Sequence, residues 1–336
     1  MTSTLAQDIK AAAALLADAH DVTLLGHVRP DADALGSALA LGRVLHQRGA
    51  TVRVSFSEPA EAPETLRGLD VGGLLVPPGR LPETEPLLIA LDTPTLGRLG
   101  ALGARVATGK AAGGSVLVID HHATNARYGT HHVVDETAEA TAVLVFRLLE
   151  ELGAELDEPT ARCLYAGLVT DTSGFRRASP GAHLMAARLL EAGVNPDEVV
   201  RTVMEDHPFA WLPMLSAVLA GARLEPEAAQ GFGLAHAVVR AEVAASVRVE
   251  EVESVIDVVR STRDAGVAVV LKEAGPLAHG SRWQVSLRST GRVDVSAAAA
   301  ELGGGGHRLA AGCTTEGTSD EVLDRLRAAL GRAPLL

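Results

Sequence analysis

Four short segments of this chain gather the side chains that bind cations or move protons. GHVRPDADALGS (26–37) carries His27, Asp31 and Asp33, and ALDTPTLGRLG (90–100) carries Asp92 with Arg98 close behind. VIDHHATN (118–125) sets Asp120, His121 and His122 side by side, and GLVTDTSGFRR (167–177) offers Asp171, then Arg176 and Arg177. Each segment taken alone has a plain reading. Asp33 suits the cap of a helix starting at Ala34, Asp92 suits a turn, and Asp171 suits a helix end. The DHH triplet is different, because adjacent imidazoles beside a carboxylate are costly to bury unpaired. Crowded carboxylates likewise repel one another unless a cation compensates them. Together the segments supply two histidines and four aspartates for a set of ligands. That set suits two divalent ions, manganese or magnesium rather than zinc, because oxygen donors dominate and thiolates are absent. Two such ions, roughly 3.5–4 Å apart, clamp a phosphoryl group for in-line displacement, and a carboxylate such as Asp92 can bridge them.

The elements around these segments alternate. VTLLGH (22–27), TVRVSF (51–56), LLIALD (87–92) and VLVID (116–120) are short apolar runs of the kind that fill a buried parallel sheet. Helical periodicity follows at 34–49, 139–152 and 159–169. In open parallel sheets, ligands sit beyond the carboxyl ends of strands, and His27, Asp92 and Asp120 fall there. Pro30 predicts an extended Arg29. From 181 to 222 the pattern is helical, punctuated by Pro196, Pro208, Pro213 and Gly221, and RLEPEAAQG (223–231) reads as a boundary linker. Strands at 231–239, 268–272 and 283–289 follow, with helices at 252–263, 296–302 and 320–330. The expectation is an α/β chain: a parallel-sheet domain over 1–200, a helical connector over 201–225, and a smaller α/β domain over 226–336, with a cleft between the domains.

GGGGHRLAAG (303–312) is predicted to be a loop whose glycines let backbone N–H groups approach a phosphate or base. Gly304, Gly305, Gly306 and His307 are its candidate contacts, with Arg308 as a further donor. Arg288 on SLRS can pair bidentately with a terminal phosphate. A hinge is the plain alternative, disfavoured by the attached histidine and arginine. Arg98, Arg176 and Arg177 read as solvated or structural. Trp211 and Trp283 read as packing residues, and His131 and His132 as a pair preceding a strand without a catalytic task.

Composition narrows the partners. The 336 residues are 47% hydrophobic but only 3% aromatic, so the cores must rest on Leu, Val and Ala. A net charge of −12 argues against a long nucleic-acid footprint while allowing a small phosphate ligand. Cys163 and Cys313 lie far apart, which fits a reducing compartment. The first 20 residues read as an amphipathic helix rather than a secretory signal. No apolar run approaches the roughly 18 residues of a membrane span, so a soluble, cytoplasmic protein is expected.

The motifs GHVRPDADALGS, ALD, DHH and TDTSGF resemble, in order, those of the DHH phosphoesterase family, and GGGGHRLAAG resembles the signature of its DHH-associated C-terminal domain. The subgroup it resembles is the bacterial nano-RNase/pAp phosphatase group, whose actinobacterial relatives also hydrolyse cyclic-di-AMP-derived dinucleotides. The resemblance implies that His27, Asp31 and Asp92 hold one metal, and Asp33, Asp92, His121 and Asp171 the other, with manganese favoured. It further implies that His122 contacts the scissile phosphate and that Asp120 orients the imidazoles. Implied substrates are short RNA, pApA and 3′-phosphoadenosine 5′-phosphate. No long nucleic acid and no membrane is implied as a partner, and homodimers are common among relatives. A main role on cyclic-di-AMP, a manganese pyrophosphatase, a RecJ-like exonuclease and a nucleotide-sensing module are the alternatives. The pyrophosphatase is disfavoured by GGGGH, the exonuclease by chain length and charge, and the sensor by the complete ligand set. One departure is Ser173, where many relatives carry glycine.

Overall fold

The structure is a computed structural model that describes residues 3–336. The chain divides into two compact units, Met1–Asp206 and His207–Leu336.

The first unit runs α1 (Ser3–Ala17), β1 (Asp21–Leu25), α2 (Ala32–Gln47), β2 (Thr51–Ser55), α3 (Glu64–Arg67), β3 (Leu87–Leu91) and α4 (Ala104–Ala111). It continues with β4 (Ser115–Asp120), β5 (His131–Val134), α5 (Thr141–Glu151), α6 (Glu158–Asp171), α7 (Pro180–Glu191) and α8 (Pro196–Val200). Its five strands pair in parallel in the order β2-β1-β3-β4-β5. Alternating side chains commit β3 to two cores at once. Leu87, Ile89 and Leu91 join the cluster built by α1, α2, α5, α6 and α7. Leu88 and Ala90 face Leu99, Leu102 and Val106 on the other side. A sheet buried on both faces needs the continuous apolar strands seen in the sequence. It also brings the ends of β1, β3 and β4 to one edge.

The second unit runs α9 (Trp211–Ala220), β6 (Arg223–Glu225), β7 (Leu234–Val239), α10 (Ala241–Ala244), α11 (Val249–Val259), β8 (Val267–Pro276) and β9 (Ser281–Ser289). It ends with α12 (Val295–Glu301), β10 (Gly305–His307), β11 (Ala310–Gly317) and α13 (Ser319–Arg332). The sheet order is β10-β11-β9-β8-β7-β6, antiparallel except for the β7–β8 pair. One face is covered by α12 and α13 around Val269, Leu287 and the fully buried Trp283. On the other face, α9 and α11 cover Ala235, Ala237, Ala268 and Val270 of β7 and β8.

Several expectations change. The predicted linker at 223–231 begins with an edge strand, β6, which is too short and too charged to show a two-residue period. The unit boundary falls instead at 206/207, inside the predicted connector, and α9 belongs to the second unit. The predicted glycine loop is partly a strand, because Gly305 and Gly306 pair with Gly312 and Ala311. His131 and His132 do not precede a strand; they begin β5. Among the described residues, no helix is long and apolar enough to cross a membrane.

Candidate metal centre and active site

Asp31, not Asp33, caps α2. Its Oδ1 accepts the backbone N–H of Asp33 at 3.1 Å and of Ala34 at 2.9 Å. The helix therefore starts at Ala32, and Asp33 falls in its first turn, fully buried. The preceding loop is pinned from two sides: Val28 N–H donates to Arg98 O at 2.8 Å and Arg29 N–H to Glu58 O at 2.6 Å. These bonds hold Arg29 at φ 53, left-handed rather than extended, overriding the preference set by Pro30.

Two imidazoles are oriented by backbone carbonyls. His27 Nδ1 lies 2.9 Å from Val28 O, and His121 Nδ1 lies 3.2 Å from Ala138 O. A carbonyl only accepts, so each Nδ1 carries the hydrogen and each Nε2 is left to act as a ligand. His27 Nε2 lies 3.4 Å from Asp31 Oδ2 and 3.4 Å from Asp92 Oδ2. His121 Nε2 lies 3.5 Å from Asp92 Oδ1 and 3.4 Å from Asp171 Oδ2. Asp92, buried and at φ 54 just past β3, thus presents one oxygen to each imidazole. His27, Asp31 and Asp92 form one group with metal-ligand spacing, and Asp33, Asp92 and His121 form another.

The donor chemistry fits cations. Lone pairs of Nε2 aimed at carboxylate oxygens repel unless positive charge lies between them. Protons can supply some of it: burial alone lowers the His27 pKa, but Asp31 and Asp92 override it and raise the ring to about 10. Burial, then the charges of Asp92 and Asp31, pushes Asp33 well above the usual carboxylate range. Buried carboxylates and imidazoles at this spacing have the donor set that divalent metal ions take.

His122 is held differently. Its Nδ1 lies 2.7 Å from Asp120 Oδ1, and Asp120 is wholly buried at the end of β4. Burial lowers the His122 pKa, but the bond to Asp120 and the charges of Asp92, Asp120 and Asp31 together outweigh it, so the ring ends above its ordinary value.

Sequence reading missed four residues that shape this centre. Thr141 donates its hydroxyl to Asp92 Oδ1 at 2.9 Å, and Ser37 donates to Asp33 Oδ1 at 3.3 Å. Asn125 donates to Asp120 Oδ2 at 2.6 Å. Gly167 on α6 makes room for Asp33, since a Cβ there would stand 2.6 Å from Asp33 Oδ1. Asn125 and Gly167 lie inside the segments VIDHHATN and GLVTDTSGFRR, but nothing in their spacing marks them out. Ser173 sits at φ 53, a conformation that glycine adopts more readily, and its Oγ accepts from Arg177 at 2.9 Å. Arg177 also donates to Asp171 O at 3.0 Å, a structural task.

In the second unit, Arg288 and His307 are both in register with Ala310, on either side of it. Residues in register share a face, so His307, Ala310 and Arg288 form a row across β10, β11 and β9. Gly305, Gly312 and Ser286 form the next row. Gly304 is demanded by packing, because a Cβ there would lie 2.1 Å from Gly312 O. Gly305 has open space where its Cβ would be. Arg308 points its Nε to within 3.8 Å of Asp294 Oδ2. Trp211 stacks on His207, ring centroids 4.3 Å apart.

The DHH family N-terminal domain matches residues 21–168, and the DHHA1 domain matches residues 234–333. The bifunctional oligoribonuclease and PAP phosphatase NrnA of Thermus thermophilus is 31% identical over 318 residues, spanning 92% of this chain and 90% of the relative. The chain belongs to the DHH family of phosphoesterases. It is a hydrolase of phosphoester bonds, and both of its compact units carry a domain of that architecture. A cyclic-di-AMP phosphodiesterase, GdpP of Geobacillus thermodenitrificans, is 26% identical over 94% of this DHH chain and 48% of its own length. The crystal structure of an exopolyphosphatase-related protein from Bacteroides fragilis superposes with a TM-score of 0.86 at 24% identity. It covers 97% of this chain and 96% of that one, and so shares the fold.

Proposed function

We propose that this DHH phosphoesterase hydrolyses short oligoribonucleotides, pApA and 3′-phosphoadenosine 5′-phosphate to nucleoside monophosphates. The observation that carries the reading is Asp92, whose two carboxylate oxygens face His27 and His121 separately. One divalent ion is assigned to His27, Asp31 and Asp92, the other to Asp33, Asp92, His121 and Asp171, with manganese favoured and magnesium the alternative. When bound, the pair supplies Lewis-acid charge at the phosphoryl group and a nucleophile at neutral pH. His122 meets the scissile phosphate, and Asp120 fixes its ring. The row of Arg288 and His307, with the open backbone at Gly305, holds the nucleotide. The free, buried Cys163 and Cys313 suit the reducing cytoplasm to which we assign the enzyme.

Dinucleotides are expected to be cut faster than a long single strand, with weak dependence on salt. The reason is that few phosphates meet protein cations on a chain of net charge −12. Rates on both substrates across several salt concentrations test this. Equal rates with a steep salt slope would favour a long-strand exonuclease instead. Cyclic-di-AMP belongs in the same panel, because the GdpP likeness makes it the second reading. Its cleavage faster than pApA would make it the main substrate.

Arg288→Ala and His307→Ala are each expected to keep two bound metals and to hydrolyse nucleotides poorly. A lost charged hydrogen bond of about 1.5–3 kcal/mol corresponds to roughly a ten- to hundredfold loss. The loss sits in KM if ground and transition states are held alike, and in kcat if the contact aligns the phosphate. An activated phosphodiester lacking a nucleotide should be affected much less. Unchanged nucleotide hydrolysis in both variants would remove this sheet face from the binding site.

A further inference from the structure

Asp120 is wholly buried, and each of its oxygens has an assigned partner. Oδ1 faces His122 Nδ1 at 2.7 Å and accepts the His122 backbone N–H at 3.3 Å, while Oδ2 accepts from Asn125 Nδ2 at 2.6 Å. The Asn125 amide has one sense only. Its Oδ1 accepts the Arg127 N–H at 2.7 Å, so its NH2 end must face Asp120. Arg127 sits at φ 47 to make that bond, a left-handed conformation that a non-glycine residue enters at a cost. The loop is tied down at two further points, with Ala126 N–H donating to Pro94 O at 2.9 Å and Tyr128 OH donating to Thr93 O at 2.9 Å.

We infer that Asn125 is a positioning residue for catalysis: it closes the chain Asn125–Asp120–His122 and so fixes both the ring angle and the Nδ1–H tautomer of His122. The chain has the logic of any imidazole aligned by a carboxylate that is itself held by a donor. An amide suits the end of it because it donates without competing for the carboxylate's charge. With Nδ1–H committed to Asp120, Nε2 is the nitrogen through which His122 meets substrate. A loop asparagine used only for its turn would need its Oδ1 alone. Here the other end of the amide makes the shorter bond, to a buried carboxylate.

This inference rests on the proposed role of His122, and its test separates the two. Asn125→Ser keeps an acceptor for the Arg127 N–H but is too short to reach Asp120, and Asn125→Ala removes both bonds along with the longer one from Nδ2 to Thr93 O at 3.4 Å. Tyr128→Phe loosens the same loop at Thr93 without touching Asp120 and serves as the control. In histidine-labelled protein without metal, the wild type and Tyr128→Phe should show the His122 Nδ1–H proton as a protected resonance, which both Asn125 variants lose. In the metal-loaded enzyme, the Asn125 variants should lose roughly ten- to hundredfold in kcat on pApA, as partners of this kind do. KM and bound metal should be unchanged, and Tyr128→Phe should keep its kcat. The inference is overturned if both Asn125 variants retain the Nδ1–H resonance, or if the Tyr128→Phe kcat falls as far as theirs. A wild type that hydrolyses no phosphoester defeats the functional reading, while the resonance still decides whether Asn125 positions His122.

Discussion

Asp92→Asn is expected to remove phosphoester hydrolysis while leaving the fold in place. Asp92 is the one carboxylate common to both ligand groups, and each of its oxygens faces a different imidazole. An asparagine keeps the shape and one oxygen but turns the other corner into an NH2, which cannot ligate. The variant therefore cannot bridge, and it carries one negative charge fewer in a buried cluster. Losing about 4 kcal/mol of charge stabilisation at the phosphoryl group corresponds to roughly a thousandfold drop in rate. Excess chelator should do the same to the wild type, and manganese should restore it best. Elemental analysis and kinetics on a dinucleotide check this, with circular dichroism as the control for folding. Full activity in chelator, or in a folded Asp92→Asn protein, would defeat the two-metal reading.

Gly167→Ala should destabilise the protein and empty the centre together. Inside a helix, glycine to alanine ordinarily gains about 1 kcal/mol. At Gly167 the new Cβ would lie 2.6 Å from Asp33 Oδ1, 3.0 Å from Asp33 Cα and 3.1 Å from Ala142 Cβ. Two of these neighbours cannot rotate away, so α2, α5 and α6 must shift. Overpacking of this kind costs about 1–3 kcal/mol, which reverses the usual sign. Because Asp33 Oδ1 is the crowded atom, metal content and activity should fall with the melting temperature. A Gly167→Ala protein that is more stable and fully active would show that Asp33 has room to spare.

The candidate centre is legible in the sequence because its residues are written locally. His27, Asp92 and Asp120 each follow an apolar strand, and a parallel sheet necessarily gathers strand ends at one edge. The DHH triplet announces itself, since no structural use of three such neighbours is inexpensive. What stayed hidden was long-range. No local pattern says that Gly167 must be bare because of a carboxylate 134 residues earlier in the chain, or that Thr141 supports Asp92. The cap of α2 was misplaced for a subtler reason: both Asp31 and Asp33 are good caps, and burial rather than propensity decides which one is free to serve. Arg29 shows the same limit in the backbone, where tertiary hydrogen bonds hold a left-handed conformation that local rules disfavour. The strands β6 and β10 escaped notice because three residues, charged or glycine-rich, are too few to display alternation.

Asp33 also has a second employment. Its two oxygens accept the first N–H groups of α5, from Thr141 at 2.6 Å and Ala142 at 2.9 Å, and that helix has no side-chain cap of its own. A ligand of the proposed centre therefore doubles as the clasp that starts a core helix more than a hundred residues away. The consequence is practical. An Asp33 variant is a poor choice of inactive control, because a cell expressing it would hold less protein as well as less activity, and the two losses would be read as one. Asp92 serves better for that purpose, since its carboxylate meets side chains of the centre itself and accepts no backbone N–H of a helix.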